Sequence, residues 1–232
     1  MTLLLGPNTQ IPPPATPRYA ELCVTSNFTF LTGASHPEEL IARAAELGLE
    51  AIALTDRNSL AGVVRAYAAL KALRSEAEGA PLPRLIVGAR LVLRDSPVEW
   101  LALPTDRAAY HRLARLLTLG KRRAGKAECH LDPADLEAGC QGMILIALPQ
   151  APLPATAPQI QAMQRRFPGH VFLGAAPRYD GSDQAWFDAC AALALRCAAP
   201  MVAVGDVLMH RAARRPLADV LTCLRQIGRA HV

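Results

Sequence analysis

Thr55, Asp56 and Arg57 stand where a parallel α/β fold places its chemistry. The apolar run before them, Ala51-Ile52-Ala53-Leu54, reads as a fully buried strand, and Ser59 to about Ala77 reads as the helix that follows. Ligands and catalysis gather at the carboxyl ends of such strands. Asp56 could belong to a catalytic centre, but an aspartate there more often caps the next helix, and the cap is the favoured reading. Asp206 is divided between a pocket salt bridge and an ordering role in its loop. His36, His111, His130 and His210 have no second ligand at helical or strand spacing and read as surface or capping residues. Six cysteines (Cys23, Cys129, Cys140, Cys190, Cys197, Cys223) form no CxxC pair, so a zinc site built on cysteine is not expected.

A second cluster is electrostatic. Lys121, Arg122, Arg123 and Lys126 lie within the six residues after Gly120, and could meet phosphate or a protein surface. No aromatic residue interleaves with them to stack on bases, so docking or plain solvation is favoured over direct DNA binding. The chain as a whole holds 232 residues, a formal charge of +5 and a 51% apolar fraction, enough for one large barrel or two small domains. Its 25 cations are nearly all arginine, which suits phosphate binding but is better explained by an alanine-rich, GC-biased composition. Leu3 to Leu5 is too short for a signal peptide, and no run is long enough to span a membrane. A cytoplasmic protein with reduced thiols is expected, with no membrane partner.

The elements that must position these residues follow in order. Residues 1–18 read as an extended Pro-rich leader, ending near Pro12-Pro13-Pro14 and Pro17. Ala20 to Thr25 alternates as a strand. Ser35-His36-Pro37-Glu38 has capping-box spacing, with Ser35 as the cap, before a helix that Gly48 closes. Leu85 to Leu93 reads as one strand, turning at Arg94-Asp95-Ser96-Pro97 to pair with Val98 to Leu103. Helices are expected over Asp106–Leu119, Pro133–Ala138, Ala157–Arg166, Gln184–Ala198 and Pro216–Gln226. Strands are expected over Met143–Leu148, Val171–Gly174 and Met201–Val204. That alternation argues for a parallel sheet closed into a barrel without an internal domain boundary. Residues 227–232 resemble a translated sequencing adapter, so a non-native tail is expected there.

Taken together, Phe28-Thr29-Phe30-Leu31-Thr32-Gly33-Ala34-Ser35-His36-Pro37-Glu38, Ala53-Leu54-Thr55-Asp56, Val87-Gly88-Ala89 and Val202 to His210 with Arg214-Arg215-Pro216-Leu217 resemble a known family. It is the N-terminal PHP (polymerase and histidinol phosphatase) domain of bacterial C-family DNA polymerases, nearest the error-prone branch. The resemblance covers residues 19–226 and implies an α/β fold, a distorted (β/α)7 barrel of the PHP type. It also implies a metal cluster at the strand ends in active members. Carried over, that family's ligand positions fall on Cys23, Thr25, Thr32, Arg57, Arg90, Asp206 and Leu208, of which only Asp206 keeps a ligand type. Hydrolytic metal chemistry needs several converging imidazoles and carboxylates, so no catalytic residue and no metal are expected here. Arg57 and Arg90 are expected to project into the old pocket and pair with Asp56 and Asp206.

By the same resemblance the parent enzyme is a translesion DNA polymerase. Its core would use Mg²⁺, its partners would include accessory mutagenesis proteins and the sliding clamp, and it would meet DNA outside this segment. This domain would then need no cofactor of its own and would be a structural part of the polymerase chain. Two other classes stay open: a metal-dependent PHP phosphoesterase or proofreading exonuclease, and a nucleic-acid-binding module resting on the basic loop.

Overall fold

The computed structural model describes residues 18–76, 79, 81–150 and 153–230. Eight strands form two hydrogen-bonded sheets. The first holds β1 (Ala20–Val24), β2 (Ala51–Leu54) and β3 (Arg84–Val87), all parallel and in that order. The second holds β4 (Ala89–Leu91), β5 (Val98–Pro104), β6 (Met143–Pro149), β7 (Val171–Ala175) and β8 (Met201–Ala203). Around them lie α1 (Pro37–Glu46), α2 (Val63–Glu76), α3 (Arg107–Arg122), α4 (Pro133–Gly139), α5 (Leu153–Arg166), α6 (Asp183–Cys197) and α7 (Arg215–Ala230).

Two short bridges join the sheets into a distorted barrel. On one side Val24 pairs with Val207 beyond β8, through Thr25 N–H to the Val207 carbonyl (2.9 Å) and Val207 N–H to the Cys23 carbonyl (2.8 Å). On the other, Arg57 beyond β2 pairs with Arg90 in β4, through Arg90 N–H to the Asp56 carbonyl (3.1 Å) and Asn58 N–H to the Arg90 carbonyl (2.9 Å). Strand alternation sorts the apolar residues by face. Leu101, Leu103, Ile146 and Leu148 fill the barrel interior with Cys23, Ala53 and Val204. Their neighbours Trp100, Ala102, Leu145 and Ala147 point outward into a core shared with Leu113 of α3, Ile160 of α5 and Leu193 of α6. A third cluster packs Leu40 and Ile41 of α1 and Ala66 and Leu70 of α2 over Ile52 and Leu54. Each fully buried leucine in these layers stabilises the fold by about 2 kcal/mol relative to exposure.

Several expectations need correction. The strand read over Leu85–Leu93 is broken at Gly88, which separates β3 from β4 and moves the chain from one sheet to the other. The sheet is not uniformly parallel: β5 runs antiparallel to both β4 and β6, because the β4–β5 connection is a tight turn that leaves no room for a crossover helix. The cap of α1 is one residue later than expected, at His36, whose N–H is accepted by the Glu39 carboxylate at 2.9 Å. Ser35 instead bonds His210, Oγ to Nδ1 at 2.8 Å, and accepts the His210 N–H at 3.0 Å. Helix α2 begins at Val63, since Ser59 to Gly62 turn beneath Asp56. Helix α3 continues to Arg122, so Lys121 and Arg122 sit in its last turn and not in a loop. The basic side chains there suit the negative end of the helix dipole.

Arg18, read as part of the leader, makes a two-point contact with Glu50 (2.8 and 2.7 Å); residues 1–17 lie outside the described residues. Helix α7 runs to Ala230, past the expected end at Gln226, so the tail read over 227–232 is helical as far as it is described. All six cysteines are free, and burial pushes the Cys140 thiol up to about 12. No helix among the described residues is long and apolar enough to cross a membrane.

The corner at Gly88 can be tested. A β-carbon there would stand 2.5 Å from Leu103 Cδ2, 3.1 Å from the Ala102 carbonyl oxygen and 3.2 Å from Thr55 Cγ2. Gly88→Ala should therefore lower stability by about 1–3 kcal/mol in urea unfolding. Gly125→Ala, where nothing lies nearer than 3.7 Å, should stay within about 0.5 kcal/mol of the parent chain.

Candidate functional site at the barrel mouth

The carboxyl ends of β2, β4 and β8 meet the starting end of the antiparallel β5, and their polar residues converge. Arg90 on β4 is the centre. Its side chain is 13% exposed and lies between two carboxylates: Nη1 donates to Asp206 Oδ1 at 2.7 Å, and Nε donates to Glu99 Oε2. Burial alone would lower the Arg90 pKa, but Asp206 and Glu99 more than offset it and hold the guanidinium charged. Cys23 Sγ lies 3.4 Å from Asp206 Oδ1. Burial first, and then the Asp206 charge, pushes that thiol well above its ordinary value, so it is a neutral donor and no nucleophile. Asp206 occupies the left-handed region at φ +46°, a conformation that aspartate tolerates better than most residues.

Arg57 and Asp56 do not pair. Arg57 reaches toward Glu99, Nη2 to Oε1 at 3.9 Å, with its side chain 44% exposed. Asp56 neither caps α2 nor joins the charge chain. Its Oδ1 accepts from Ser26 N–H (2.9 Å) and Thr29 Oγ1 (2.7 Å), and its Oδ2 accepts from Ser26 Oγ (2.8 Å). The carboxylate thus clamps the loop from Ser26 to Gly33 onto the barrel. Burial pushes its pKa up, and the Thr29 and Ser26 hydrogen bonds pull it partly back.

The remaining expected positions are scattered. Thr25 is buried and holds the Val207 seam through its N–H. Thr32 Oγ1 accepts from Arg225 of α7 at 2.9 Å. Leu208 contributes only a carbonyl, to Ala34 N–H at 2.8 Å. Cys23, Arg90 and Asp206 are therefore brought together, with Arg57 at the edge, while Thr25, Thr32, Asp56 and Leu208 serve other bonds.

Glu99 was missed. Its signal was present: a lone acid in the apolar run Val98-Glu99-Trp100-Leu101-Ala102-Leu103, on the inward face with Leu101 and Leu103. Among the described residues no group of three or more His, Cys, Asp or Glu side chains could hold a metal ion. The donor set does not fit one: a guanidinium already occupies the point between the two carboxylates.

Two cavities flank Arg90 and Arg57. The smaller, about 310 Å³, is bounded by Arg90, Asp206, Gln150, Arg178 and Trp186. In it the Arg178 guanidinium stacks 3.5 Å from the Trp186 ring centre. The larger is a cleft of about 1040 Å³ that takes in Lys121 and Lys126 together with Arg57, Arg225, Phe28 and Phe30. Although no aromatic residue interleaves with the basic cluster in sequence, Phe28 and Phe30 line the same cleft. Arg123 instead pairs with Asp135, and Arg122 is exposed on α3.

Two predictions follow from these bonds. Arg90→Met should cost about 3–5 kcal/mol by leaving Glu99 and Asp206 unpaired, and the triple variant with Glu99→Leu and Asp206→Asn should recover much of that loss in the same urea titration. Asp56→Ala should cost about 2–4 kcal/mol through three lost hydrogen bonds. Because the folded Asp56 binds its proton more tightly than the unfolded chain does, its contribution to stability falls as pH rises through its titration. The deficit of Asp56→Asn should therefore narrow between pH 4 and pH 7, read by unfolding at each pH.

Sequence and structure comparisons bear on the family and the fold. A model of the PHP domain matches residues 21–172. An error-prone DNA polymerase of Ruegeria pomeroyi is 70% identical over 90% of this chain and 22% of its own length. One from Rhodopseudomonas palustris is 46% identical over 90% of this chain and 19% of its own length. The chain thus spans about a fifth of these relatives. Among solved structures, a putative metal-dependent phosphoesterase from Bifidobacterium adolescentis superposes with TM-score 0.58 at 14% identity, covering 84% of this chain and 88% of that one. An amidohydrolase from Chromobacterium violaceum gives TM-score 0.58 at 16% identity, covering 82% and 87%. At those identities the likeness concerns the fold, the same distorted barrel. With the family model lying across β1 to β7 of that barrel, the chain belongs to the PHP domain family.

Proposed function

We propose that the chain is the PHP domain of an error-prone DNA polymerase, forms its N-terminal part, and serves it as a structural barrel without a hydrolytic metal centre. The observation that supports this most directly is the Arg90 guanidinium between Glu99 and Asp206, at the point where a hydrolase of this fold would need open metal positions. A fixed cation there neutralises the carboxylates and leaves no vacant site for a water nucleophile. The high identity to error-prone polymerases, over a fifth of their length, supports the parentage.

On this reading nucleotide transfer belongs to the rest of the polymerase chain, which would use Mg²⁺ in its own core to extend primers across damaged templates. The barrel would pack against that chain in the cytoplasm. Accessory mutagenesis proteins and the sliding clamp would be partners of the assembled enzyme, as would its DNA.

The test is direct. Chain purified, stripped with EDTA and dialysed against zinc or manganese should retain metal well below one ion per chain, and should leave bis-p-nitrophenyl phosphate intact. Stoichiometric metal accompanied by hydrolysis would establish the phosphoesterase reading instead. In the full-length polymerase, Arg90→Met should lower thermal stability while leaving primer extension per folded molecule within about twofold, because on this reading the chemistry belongs to the rest of the chain.

A further inference from the structure

We infer that the large cleft beside the barrel mouth binds single-stranded nucleic acid, with phosphates along Lys121, Lys126 and Arg225 and a base stacked on Phe30 or Phe28. The inference goes beyond the polymerase reading and stands without it.

The first support is charge. Lys121 and Lys126 make no ion pair with a carboxylate among the described residues, and Arg225 donates only to the Thr32 hydroxyl, 2.9 Å away. Arg57 adds a half-exposed guanidinium whose nearest carboxylate oxygen is 3.9 Å off. Arg94 is neutralised by a two-point contact with Asp132 (2.9 Å each), and Glu128 is the acid among the lining residues. The balance is cationic, on a concave wall where positive charge is focused toward a polyanion.

The second support is the aromatic pair. Phe30 is 83% exposed, its ring free of the core, and Phe28 presents a partly exposed ring at 36%. Base stacking on such rings is worth a large part of single-strand affinity and tolerates any sequence. Their loop is held before a ligand arrives. Asp56 fixes Ser26 and Thr29, and Thr29 N–H, Thr32 N–H and Gly33 N–H close turns onto Ser26 and Thr29 carbonyls at 2.9, 3.1 and 3.3 Å. A pre-ordered platform avoids the entropy of fixing a loose loop on binding.

Size is the third. At about 1040 Å³ the cleft is at the upper end of what a single small ligand fills, which leaves room for several nucleotides of an extended chain. A duplex could not bring its bases to Phe30 without unpairing, so single strands should be preferred.

Fluorescence anisotropy of the full 232-residue chain with a fluorescein-labelled dT20 is the test. Binding should be measurable at about 50 mM salt and should weaken steeply by about 200 mM. Lys121→Ala with Lys126→Ala should weaken it and lower the salt slope by about 1 to 2. Phe30→Ala should weaken it about fivefold or more and leave the slope unchanged. All three residues are exposed, and unchanged melting curves would show that the variants are folded. Lys71→Ala with Arg74→Ala, on the exposed surface of α2, should have no effect. Comparison of dT20 with rU20 tells a DNA site from an RNA one. Absence of binding at 50 mM salt, equal loss in the α2 control, or a preference for duplex would each overturn the proposal.

Discussion

Arg90 is held in a largely buried mouth between a carboxylate from β5 and another from the segment after β8. Burying three charges is expensive, and their mutual attraction compensates only when the geometry is good and the remaining donors are used. Here the guanidinium fork supplies the geometry, since Nε and Nη1 serve different carboxylates. The contact ties β4, β5 and the β8 extension together beside both of the isolated bridges that join the sheets. The Val24–Val207 seam is an isolated bridge, and Asp206 stands next to it. Remove the cation and two like charges face each other across that seam.

The Arg90 contact depends in turn on the bend at Gly88. Were β3 and β4 one straight strand, Arg90 would continue in the parallel sheet and β5 would have no hairpin partner. The missing side chain lets Leu103 and the Ala102 carbonyl crowd against the backbone, and the chain turns there from one sheet to the other. Because β5 then runs backwards, its start, and with it Glu99, arrives at the end of the barrel where the parallel strands finish. The topology and the electrostatics are therefore one feature: an antiparallel strand delivers the acid that lets an arginine live in the mouth.

Much of this was legible in the residues. The apolar runs of β2, β6 and β7 and the amphipathic helices announced the barrel, because burial on both faces or on one face leaves a period that sequence displays. Arg90 and Asp206 were legible as partners by resemblance. What could not be read were contacts set by geometry at a distance. Glu99 drew no role from the sequence, because its place at the mouth depends on β5 running antiparallel. Ser35 has capping spacing, yet its hydroxyl is taken by His210, 175 residues away, so the cap moved to His36. Asp56 matched the helix-cap preference, and the pull of Ser26 and Thr29 won because their donors would otherwise be buried unpaired.

The Ser26–Gly33 loop joins the two halves of the site. Thr29 Oγ1 donates a hydrogen bond to Asp56 and accepts the Arg57 N–H at 3.0 Å, so a single hydroxyl fixes both the loop and the backbone of the residue that borders the cleft. Arg57 stands at the boundary: its guanidinium is near enough to Glu99 to feel that charge and too far for a hydrogen bond. Glu99 already shares its charge with Arg90, so it exerts less hold on Arg57 than a free carboxylate would. The filled mouth thereby leaves one cation facing the cleft, and the clamp on Asp56 keeps Phe28 and Phe30 beside it. The mouth where Arg90 sits between two carboxylates and the cleft proposed to take an anionic chain are thus organised by one loop.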